Sequence, residues 1–330
     1  MKSIDHYTKL LLKDKALQNP NSFEELGYIF FGPLLFNFFI WLKFEVKGSD
    51  LILFNSREGY FLKDIYELFK IKYNLPTGVY FKTSRKISSI ASLFTNEDIY
   101  KTFDSHRYSG ILSNLMKDRF GIECDKNDNI DTKTEIPNID EYVESILNNA
   151  KRVRNDYGKY INNTIVNHNN IVMIDSGYQG TTQYNLQKAF GLYVSGRYIN
   201  YKGNENLLDV VGLYDFNKTN FQKNIIFFES IFTDKVGSYI DIVDGNFINE
   251  KIDEDNHHFE EKIKIINGIK LFINDMFVVN FDETSVSYEY SDYLFDLMCK
   301  DGFIKNEKLF DIFFHDNYYV RDSVKKIVRQ

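Results

Sequence analysis

Short apolar runs, polar turns and amphipathic helical stretches alternate over the first two thirds of the chain. Residues 51–54 are apolar, residues 55–58 form a polar turn, and apolar side chains then recur at helical spacing from Phe61 to Phe69. The same order of strand, loop and helix returns at 171–190. Strands that alternate with helices indicate an α/β fold with a mainly parallel open sheet. We predict its strands at 51–54, 79–81, 171–174, 192–200 and 209–216.

The other patterns predict helices on either side of this sheet. A long amphipathic helix is expected from about 141 to 166, and two more helical patterns lie at 257–277 and 290–300. Residues 121–139 are polar without an apolar period, which predicts a long loop. We therefore predict three parts along the chain: an N-terminal helical segment (1–45), an α/β core (46–249) and a helical C-terminal cap (250–330).

The most apolar stretch is residues 27–42. It contains Pro33 and Asn37, and its length of about 16 residues is less than the roughly 20 that cross a bilayer. We predict a buried helix that packs on the sheet, and peripheral contact with a membrane stays open. The first 15 residues lack the continuous apolar run and the small-residue cleavage site of a secretory signal.

Composition narrows the class of function. The 330 residues are 43% hydrophobic, enough for a full-sized core. Forty basic against 47 acidic residues give a net charge of −7, which argues against a broad electrostatic surface for nucleic acid. Cys124 and Cys299 match neither a zinc spacing nor a disulfide framework, so we expect a cytoplasmic protein. A phosphate site in such a chain must be local.

Two loops at predicted strand ends combine features of anion binding. The first is Ser56-Arg57-Glu58-Gly59, in which a glycine permits close backbone approach, Arg57 offers a forked donor, and a helix N-terminus follows. In the second, Asp175 ends the strand, and small or hydroxyl-bearing residues follow at Ser176, Gly177, Gly180, Thr181 and Thr182. Each loop alone also fits an ordinary capped turn.

The two loops together favour a phosphorylated ligand. Ligands of open parallel sheets bind at the carboxyl ends of the strands, where both loops are expected to lie. A ligand with two phosphate groups around a polyol fits this pair. Neither loop carries a P-loop or a dinucleotide fingerprint, which argues against nucleotide hydrolysis by that route.

Three segments in this order resemble a known family. "IVMIDSGYQGTTQ" (171–183) is similar to the phosphoribosyl-diphosphate signature of type I phosphoribosyltransferases, and "LILFNSREGYF" (51–61) is similar to their diphosphate loop. With "GYIFFGPLLFNFFIWL" (27–42), they resemble the bacterial proteins of polysaccharide clusters, for capsule or O-antigen, that transfer 5-phosphoribosyl to a glycan. The resemblance covers roughly residues 25–245.

The resemblance implies roles for individual residues. Asp175 would bind the ribose hydroxyls and act in catalysis. The donor 5-phosphate would be held by Ser176, Gly177, Tyr178, Gln179, Gly180, Thr181 and Thr182, and the diphosphate by Ser56, Arg57, Glu58, Gly59, Arg85 and Lys86. Ser176 stands where the family has a second acid, and the glycine and threonines are offset by about one place. A basic pair in a turn, such as Arg85 and Lys86, is otherwise commonly only solvated.

The resemblance also implies a reaction and its partners. Diphosphate would leave from the anomeric carbon of phosphoribosyl diphosphate through an oxocarbenium-like state, and a glycan hydroxyl would attack the opposite face, so an α-donor would give a β-linkage. Mg²⁺, held mainly through the donor diphosphate, would neutralise the leaving group. The acceptor would be a lipid-linked glycan at the inner face of the membrane, and a haloacid-dehalogenase-type phosphatase would be the partner that removes the 5-phosphate.

The general base for the acceptor hydroxyl is open. Glu229 and Asp241 lie beyond the core strands and are the two acids we consider, Glu229 being the catalytic candidate. His106, His257 and His258 could serve as base or metal ligand, although exposed or capping histidines are the commoner outcome.

Two other functions remain open from sequence. A haloacid-dehalogenase-type phosphatase needs Asp-x-Asp-x-Thr after a strand; "IDSGY" lacks the second acid, and "IDEDN" (252–256) follows no convincing strand. A non-catalytic partner of polysaccharide assembly that only binds sugar phosphates is the other alternative, and Ser176 in place of a second acid is its best support.

Overall fold

The computed structural model describes residues 2–13, 15, 18–105, 107–177, 179–251, 258–317 and 322–326. Its strands are β1 Leu51–Asn55, β2 Thr77–Phe81, β3 Ser109–Ile111, β4 Asn129–Asp131, β5 Ile171–Asp175, β6 Ser195–Tyr201, β7 Val210–Asp215, β8 Tyr239–Val243, β9 Asn246–Asn249, β10 Phe314–Asn317 and β11 Asp322–Lys326. Five of them form the central sheet in the order β2-β1-β5-β6-β7. All neighbours in this sheet run parallel, so the predicted parallel α/β sheet is confirmed, as are its five strands.

The helices surround this sheet. Their bounds are α1 Ile4–Leu12, α2 Phe23–Leu26, α3 Gly32–Glu45, α4 Gly59–Tyr73, α5 Arg85–Ala91, α6 Asn96–Ser105, α7 Leu112–Leu115, α8 Val143–Ile165, α9 Thr181–Phe190, α10 Ile225–Ile231, α11 Phe259–Phe277, α12 Glu289–Cys299 and α13 Glu307–Phe310. Single π-turns lie at Gly27–Phe31 and Met116–Phe120, and 3₁₀ turns at Asp140–Tyr142 and Phe221–Asn224. The long amphipathic helix predicted at about 141–166 is confirmed as α8.

Two hydrophobic cores lie on opposite faces of the sheet. The first is built by α3, α4, α10, α11 and α12, and the second by α5, α8 and α9 together with side chains of the β8–β9 hairpin. All five residues of β1 are buried, because a central parallel strand is covered on both sides. Alternate residues of β1 and β5 belong to different cores, which fixes the face on which each strand-end side chain lies.

The segment Phe23–Glu45 is helical throughout and lies in the first core. By length and composition it is apolar enough to cross a membrane, with a mean hydropathy of 1.5 and 83% of its most apolar window buried. It packs against α11 at two glycines in reciprocal contact. A Cβ on Gly27 would lie 2.0 Å from the Ile265 carbonyl oxygen, and one on Gly268 would lie 2.0 Å from the Glu24 carbonyl oxygen. The prediction of a buried helix is confirmed.

Three short strand pairs were not predicted. The loop expected at 121–139 contains β4, which pairs antiparallel with β3, so the prediction that this segment lacks regular structure is wrong at Asn129–Asp131. The β8–β9 hairpin and the β10–β11 pair are also antiparallel. These strands are three to five residues long, and such short polar segments carry too few positions to show a period of two. The limits of the three predicted parts stay a prediction.

Candidate functional site

The site lies where the winding of the sheet changes direction. From β1 the chain passes to β2 on one side, and β5 pairs with β1 on the other side. The carboxyl ends of β1 and β5 therefore flank a switch point, the position at which open α/β sheets bind ligands. The loops 56–58 and 176–180, both selected from sequence, leave these two strand ends.

Asp175 is the central acid at these strand ends, and the crevice is defined here as the region of the loops 56–58 and 176–180 around it. Its Oδ2 accepts a 2.9 Å hydrogen bond from the side-chain amide of Asn55, at the end of β1. Its Oδ1 lies 3.5 Å from the Gly177 amide nitrogen, which donates to it. The pKa of Asp175 is raised to about 6, chiefly by burial and next by the negative charge of Glu58, whereas the hydrogen bonds from Asn55 and Gly177 lower it. The carboxylate is thus held between the two loops in a setting that disfavours its charge.

The loop after β1 is tied to the end of β2. The Ser56 amide donates to the Phe81 carbonyl oxygen at 3.1 Å, and the Thr83 amide donates to the Ser56 hydroxyl at 3.0 Å. The peptide bond between Ser56 and Arg57 is cis. Gly59 begins α4 directly above the strand: a Cβ there would lie 2.6 Å from the Phe54 carbonyl carbon, so a larger residue would displace the helix start.

The loop after β5 leads into the N-terminus of α9. Ser176 is buried, and its carbonyl oxygen accepts a 3.2 Å hydrogen bond from the Asn200 amide. Gly180 precedes the helix with φ of +67°, a left-handed conformation that favours glycine. Thr181 and Thr182 are the first residues of α9, where free helix amides favour an anion. The Gln179 carbonyl oxygen accepts from Asn204, and Tyr178 lies outside the described residues.

Glu229, on α10, is brought to the same crevice. Its pKa is raised to about 8, chiefly by burial and next by the charge of Glu58, whereas Arg85 and Arg57 lower it. Asp175 also raises it. The charges of four other predicted residues, two acids and two arginines, therefore act on Glu229. The raised pKa favours the protonated form of the Glu229 carboxyl in the ligand-free protein, a form that can donate a proton but cannot accept one.

The side chains of Arg85 and Lys86 interact with different groups, although the two residues are neighbours in sequence. Arg85 is the exposed first residue of α5, and its charge acts on Glu229. Lys86 donates a 2.9 Å hydrogen bond to the Lys117 carbonyl oxygen. Burial lowers the Lys86 pKa, and Asp118 and Asp241 oppose that shift. Successive helical residues are about 100° apart, which separates the two side chains.

Asp241, the other acid considered from sequence, belongs to the Lys86 group. Its carboxylate forms a 2.8 Å ion pair with Arg152 on α8, and the Arg152 guanidinium also donates to the Ile242 carbonyl oxygen at 2.7 Å. This cluster therefore contains a direct ion pair. Its ion pair and hydrogen bonds join residues other than those around Asp175.

Two polar residues of this edge were missed by sequence reasoning. Asn200, in β6, is fully buried, and neither polar atom of its side chain has a hydrogen-bond partner among the described residues. It lies two residues past Tyr198, the sheet partner of Asp175, on the same face. The Asn55 Oδ1 is likewise unpartnered in the described part of the chain. The sequence did contain a signal for Asn55 and Asn200, because each is a polar residue at or near the end of a buried, mainly apolar strand.

A third missed residue, Lys262, comes from the C-terminal third of the chain. It lies on α11, is only 4% exposed, and has a pKa lowered to about 7 by burial and by the positive charge of Arg57. The signal was present in sequence: Lys262 continues the buried helical stripe of Ile265, Ile266 and Ile269.

Histidines take no described part in the crevice. His106 and His257 lie outside the described residues, as does the "IDEDN" segment, and His258 immediately precedes α11. Within the described ranges, no group of three or more His, Cys, Asp or Glu is arranged to hold a metal ion.

The crevice therefore combines Asp175 and Glu229, two acids of raised pKa, with two arginines, a buried lysine and a helix N-terminus near one switch point. Such an arrangement suits a ligand that carries both hydroxyl and phosphate groups. No protein-family model matches the chain, and no curated protein sequence matches it.

Proposed function

We propose that the protein is a glycosyltransferase of the phosphoribosyltransferase type, which transfers 5-phosphoribosyl from phosphoribosyl diphosphate to a glycan hydroxyl in bacterial surface polysaccharide synthesis. The observation that carries the proposal is the pairing of two anion-competent loops across β1 and β5, with Asp175 hydrogen-bonded to Asn55 between them. The order of the three segments at 27–42, 51–61 and 171–183 supports a phosphoribosyltransferase-like core.

In this proposal the donor lies across the switch point. The 5-phosphate binds the free amides and threonine hydroxyls at the start of α9. The ribose hydroxyls bind Asp175, and the diphosphate faces Arg57 and Arg85. Mg²⁺ would be held mainly through the donor diphosphate, and the Glu58 and Asp175 carboxylates would offer further oxygen ligands of the kind that Mg²⁺ prefers. When bound, Mg²⁺ neutralises charge on the leaving diphosphate.

The protein residues contribute position and electrostatics. Asp175 orients the ribose, and its charge stabilises positive charge that develops at the anomeric carbon as the bond to diphosphate breaks. Glu229 accepts the proton of the acceptor hydroxyl once it is itself deprotonated. Arg57 and Arg85 favour that deprotonated form, because both lower the Glu229 pKa. Transfer should therefore accelerate as the pH rises toward 8.

The partners follow from the same resemblance. The acceptor is a glycan, lipid-linked at the inner face of the membrane, and a phosphatase of the haloacid-dehalogenase type removes the 5-phosphate after transfer. The protein acts in the cytoplasm and has at most peripheral contact with the membrane.

Calorimetric titration with phosphoribosyl diphosphate tests the proposal directly. The donor should bind with an affinity that depends on Mg²⁺, whereas ribose 5-phosphate should bind weakly and a nucleotide-sugar should not bind. Asp175→Asn is the variant expected to lose donor binding, and Asp241→Asn is its matched control outside the crevice. A wild-type protein that ignores the donor with and without Mg²⁺ would overturn the assignment.

Turnover separates the remaining alternatives. Diphosphate release that depends on a glycan acceptor supports transfer. Release of inorganic phosphate from ribose 5-phosphate would instead identify a phosphatase. Donor binding without diphosphate release on any glycan tried would identify a non-catalytic binding partner.

A further inference from the structure

The first turn of α11 packs against the first turn of α4. The Phe259 ring stacks on the Phe61 ring with centroids 5.6 Å apart and an interplanar angle of 24°. Phe259 also contacts Tyr60, with ring centroids 6.1 Å apart. Because Gly59 and the loop 56–58 directly precede these residues, a helix from the C-terminal third of the chain lies beside the loop after β1.

Lys262 lies one turn further along α11, on the buried side of this contact. It is 4% exposed, and lysines are rarely buried to this extent without a partner for their charge. The matched exposed lysine of the same helix is Lys264, whose ammonium lies 6.0 Å from the Phe23 ring centroid.

The electrostatic neighbour of Lys262 is a cation. Within the described part of the chain, the charge that acts on Lys262 is that of Arg57, and it lowers the lysine pKa together with burial. A buried lysine that only stabilised the fold would be expected beside a carboxylate. Two cations at one crevice edge are unfavourable in the free protein and become favourable when an anion lies between them.

Among the described residues, no acid of the crevice acts on the Lys262 pKa. Burial raises the Glu229 pKa and so disfavours its charged form. The charge of Arg57 acts on the pKa of Glu229, on α10, and on the pKa of Lys262, on α11. The edge formed by Arg57 and Lys262 is the cationic side of the crevice.

We propose that Lys262 is a binding residue for the diphosphate group, acting together with Arg57, and that it takes up a proton from solvent as the diphosphate binds. The identity of the anion rests on the proposed function. The consequence is that the C-terminal helix α11 completes the donor site, although the sequence resemblance ends near residue 245.

The test is calorimetric titration of the full chain with inorganic diphosphate at pH 8, in two buffers of different ionisation enthalpy. The difference in heat between the buffers gives the number of protons taken up. Glu229, whose pKa is about 8, and Asp175, Glu58, Arg57 and Arg85 face the same crevice, so uptake is compared between variants rather than read from the wild type alone.

Lys262→Met should bind diphosphate at least tenfold more weakly and take up fewer protons than the wild type. Lys262→Arg should recover much of the affinity without recovering the proton uptake, since arginine is already charged at pH 8. Lys264→Met should match the wild type in both. Replacement of a buried lysine by methionine is compatible with folding, and circular dichroism with a thermal melt verifies it.

Equal affinity and equal proton uptake in Lys262→Met and the wild type would overturn the inference, as would a wild type that does not bind diphosphate. These results are distinct from failure of the proposed function. Mg²⁺-dependent binding of phosphoribosyl diphosphate that is indifferent to Lys262 leaves the function standing, and Lys262-dependent binding of diphosphate without donor binding leaves only the anion site.

Discussion

Two clusters of charged side chains in this protein differ in how their charges are balanced. In the cluster of Arg152, Asp241 and Lys86, the arginine and aspartate form an ion pair at 2.8 Å, and the lysine donates to a backbone carbonyl. In the crevice, Asp175 and Glu229 have raised pKa values and Lys262 has a lowered one, so burial disfavours the charged form of each. In the first cluster burial also lowers the Lys86 pKa, but the charges of Asp118 and Asp241 oppose that shift, whereas at Lys262 the charge of Arg57 adds to it. Unbalanced burial of charge is the better guide to a functional site than the mere presence of charges.

The largest effect is expected for Asp175→Asn. Loss of the carboxylate should weaken binding of phosphoribosyl diphosphate with Mg²⁺ at least 100-fold, measured by titration.

The same variant should be more stable at pH 8 by roughly 1–2 kcal/mol, because the raised pKa of Asp175 means that its ionised form destabilises the native state. The stability contribution of Asp175 is present below its ordinary pKa and is lost as the pH rises through about 6. The difference in unfolding free energy between the variant and the wild type should therefore vanish near pH 4, and a difference that is the same at pH 4 and pH 8 would contradict the prediction.

Glu229→Gln should remove transfer activity and change the pH dependence of stability. The pKa of Glu229 is raised from 4.5 to about 8, so its stability contribution is complete below pH 4.5 and is lost as the pH rises through 8. Relative to the wild type, the glutamine variant should gain on the order of 1–3 kcal/mol between pH 5 and pH 9. Urea unfolding at these two pH values measures the gain; a constant difference would show that Glu229 ionises normally.

Arg57→Ala should weaken diphosphate binding about tenfold, or roughly 1.4 kcal/mol, through loss of a forked donor. It should also raise the Glu229 pKa further, because Arg57 lowers that pKa in the native protein. The alkaline shift would appear in the pH profile of transfer. Arg152→Ala is the control from the balanced cluster, and it should leave both binding and the profile unchanged.

The smallest effect is expected for Asp241→Asn. Breaking its ion pair with Arg152 should cost about 1 kcal/mol or less of stability, because both side chains are roughly one third exposed. Donor binding should be unaffected. Loss of donor binding in a folded Asp241→Asn protein would remove the distinction between the two clusters.

The elements predicted well are those whose pattern is repeated over many positions. Buried parallel strands such as Leu51–Asn55 appear as uninterrupted apolar runs, and the helix Val143–Ile165 shows several turns of one period. The apolar run follows from burial of a strand on both faces, and the helical period follows from burial of one stripe of a helix. The short antiparallel pairs, such as Ser109–Ile111 with Asn129–Asp131, are stabilised by backbone pairing that sequence patterns do not record.

The residues of the candidate site also fall into those that the sequence predicts and those that it does not. Asp175 and the loop after β1 could be predicted from the sequence, because each lies at the end of a recognisable strand. The packing of helices across the sheet decides the position of the other residues. It places Glu229 and Arg85 in this crevice and Asp241 and Lys86 in another cluster. Lys262 reaches the crevice only because α11 packs on α4, a contact between positions about 200 residues apart in the chain.

The reciprocal contacts of Gly27 with Ile265 and of Gly268 with Glu24 also have a consequence for synthesis. The two glycines are 241 positions apart, so at the usual speed of a ribosome the helical segment Phe23–Glu45 emerges ~10–50 s before α11, against which it packs. During that interval its apolar surface lacks this native cover and is a natural substrate for a chaperone. Lys262 lies on α11, so the residues of the proposed donor site come together only when this helix has docked on α4.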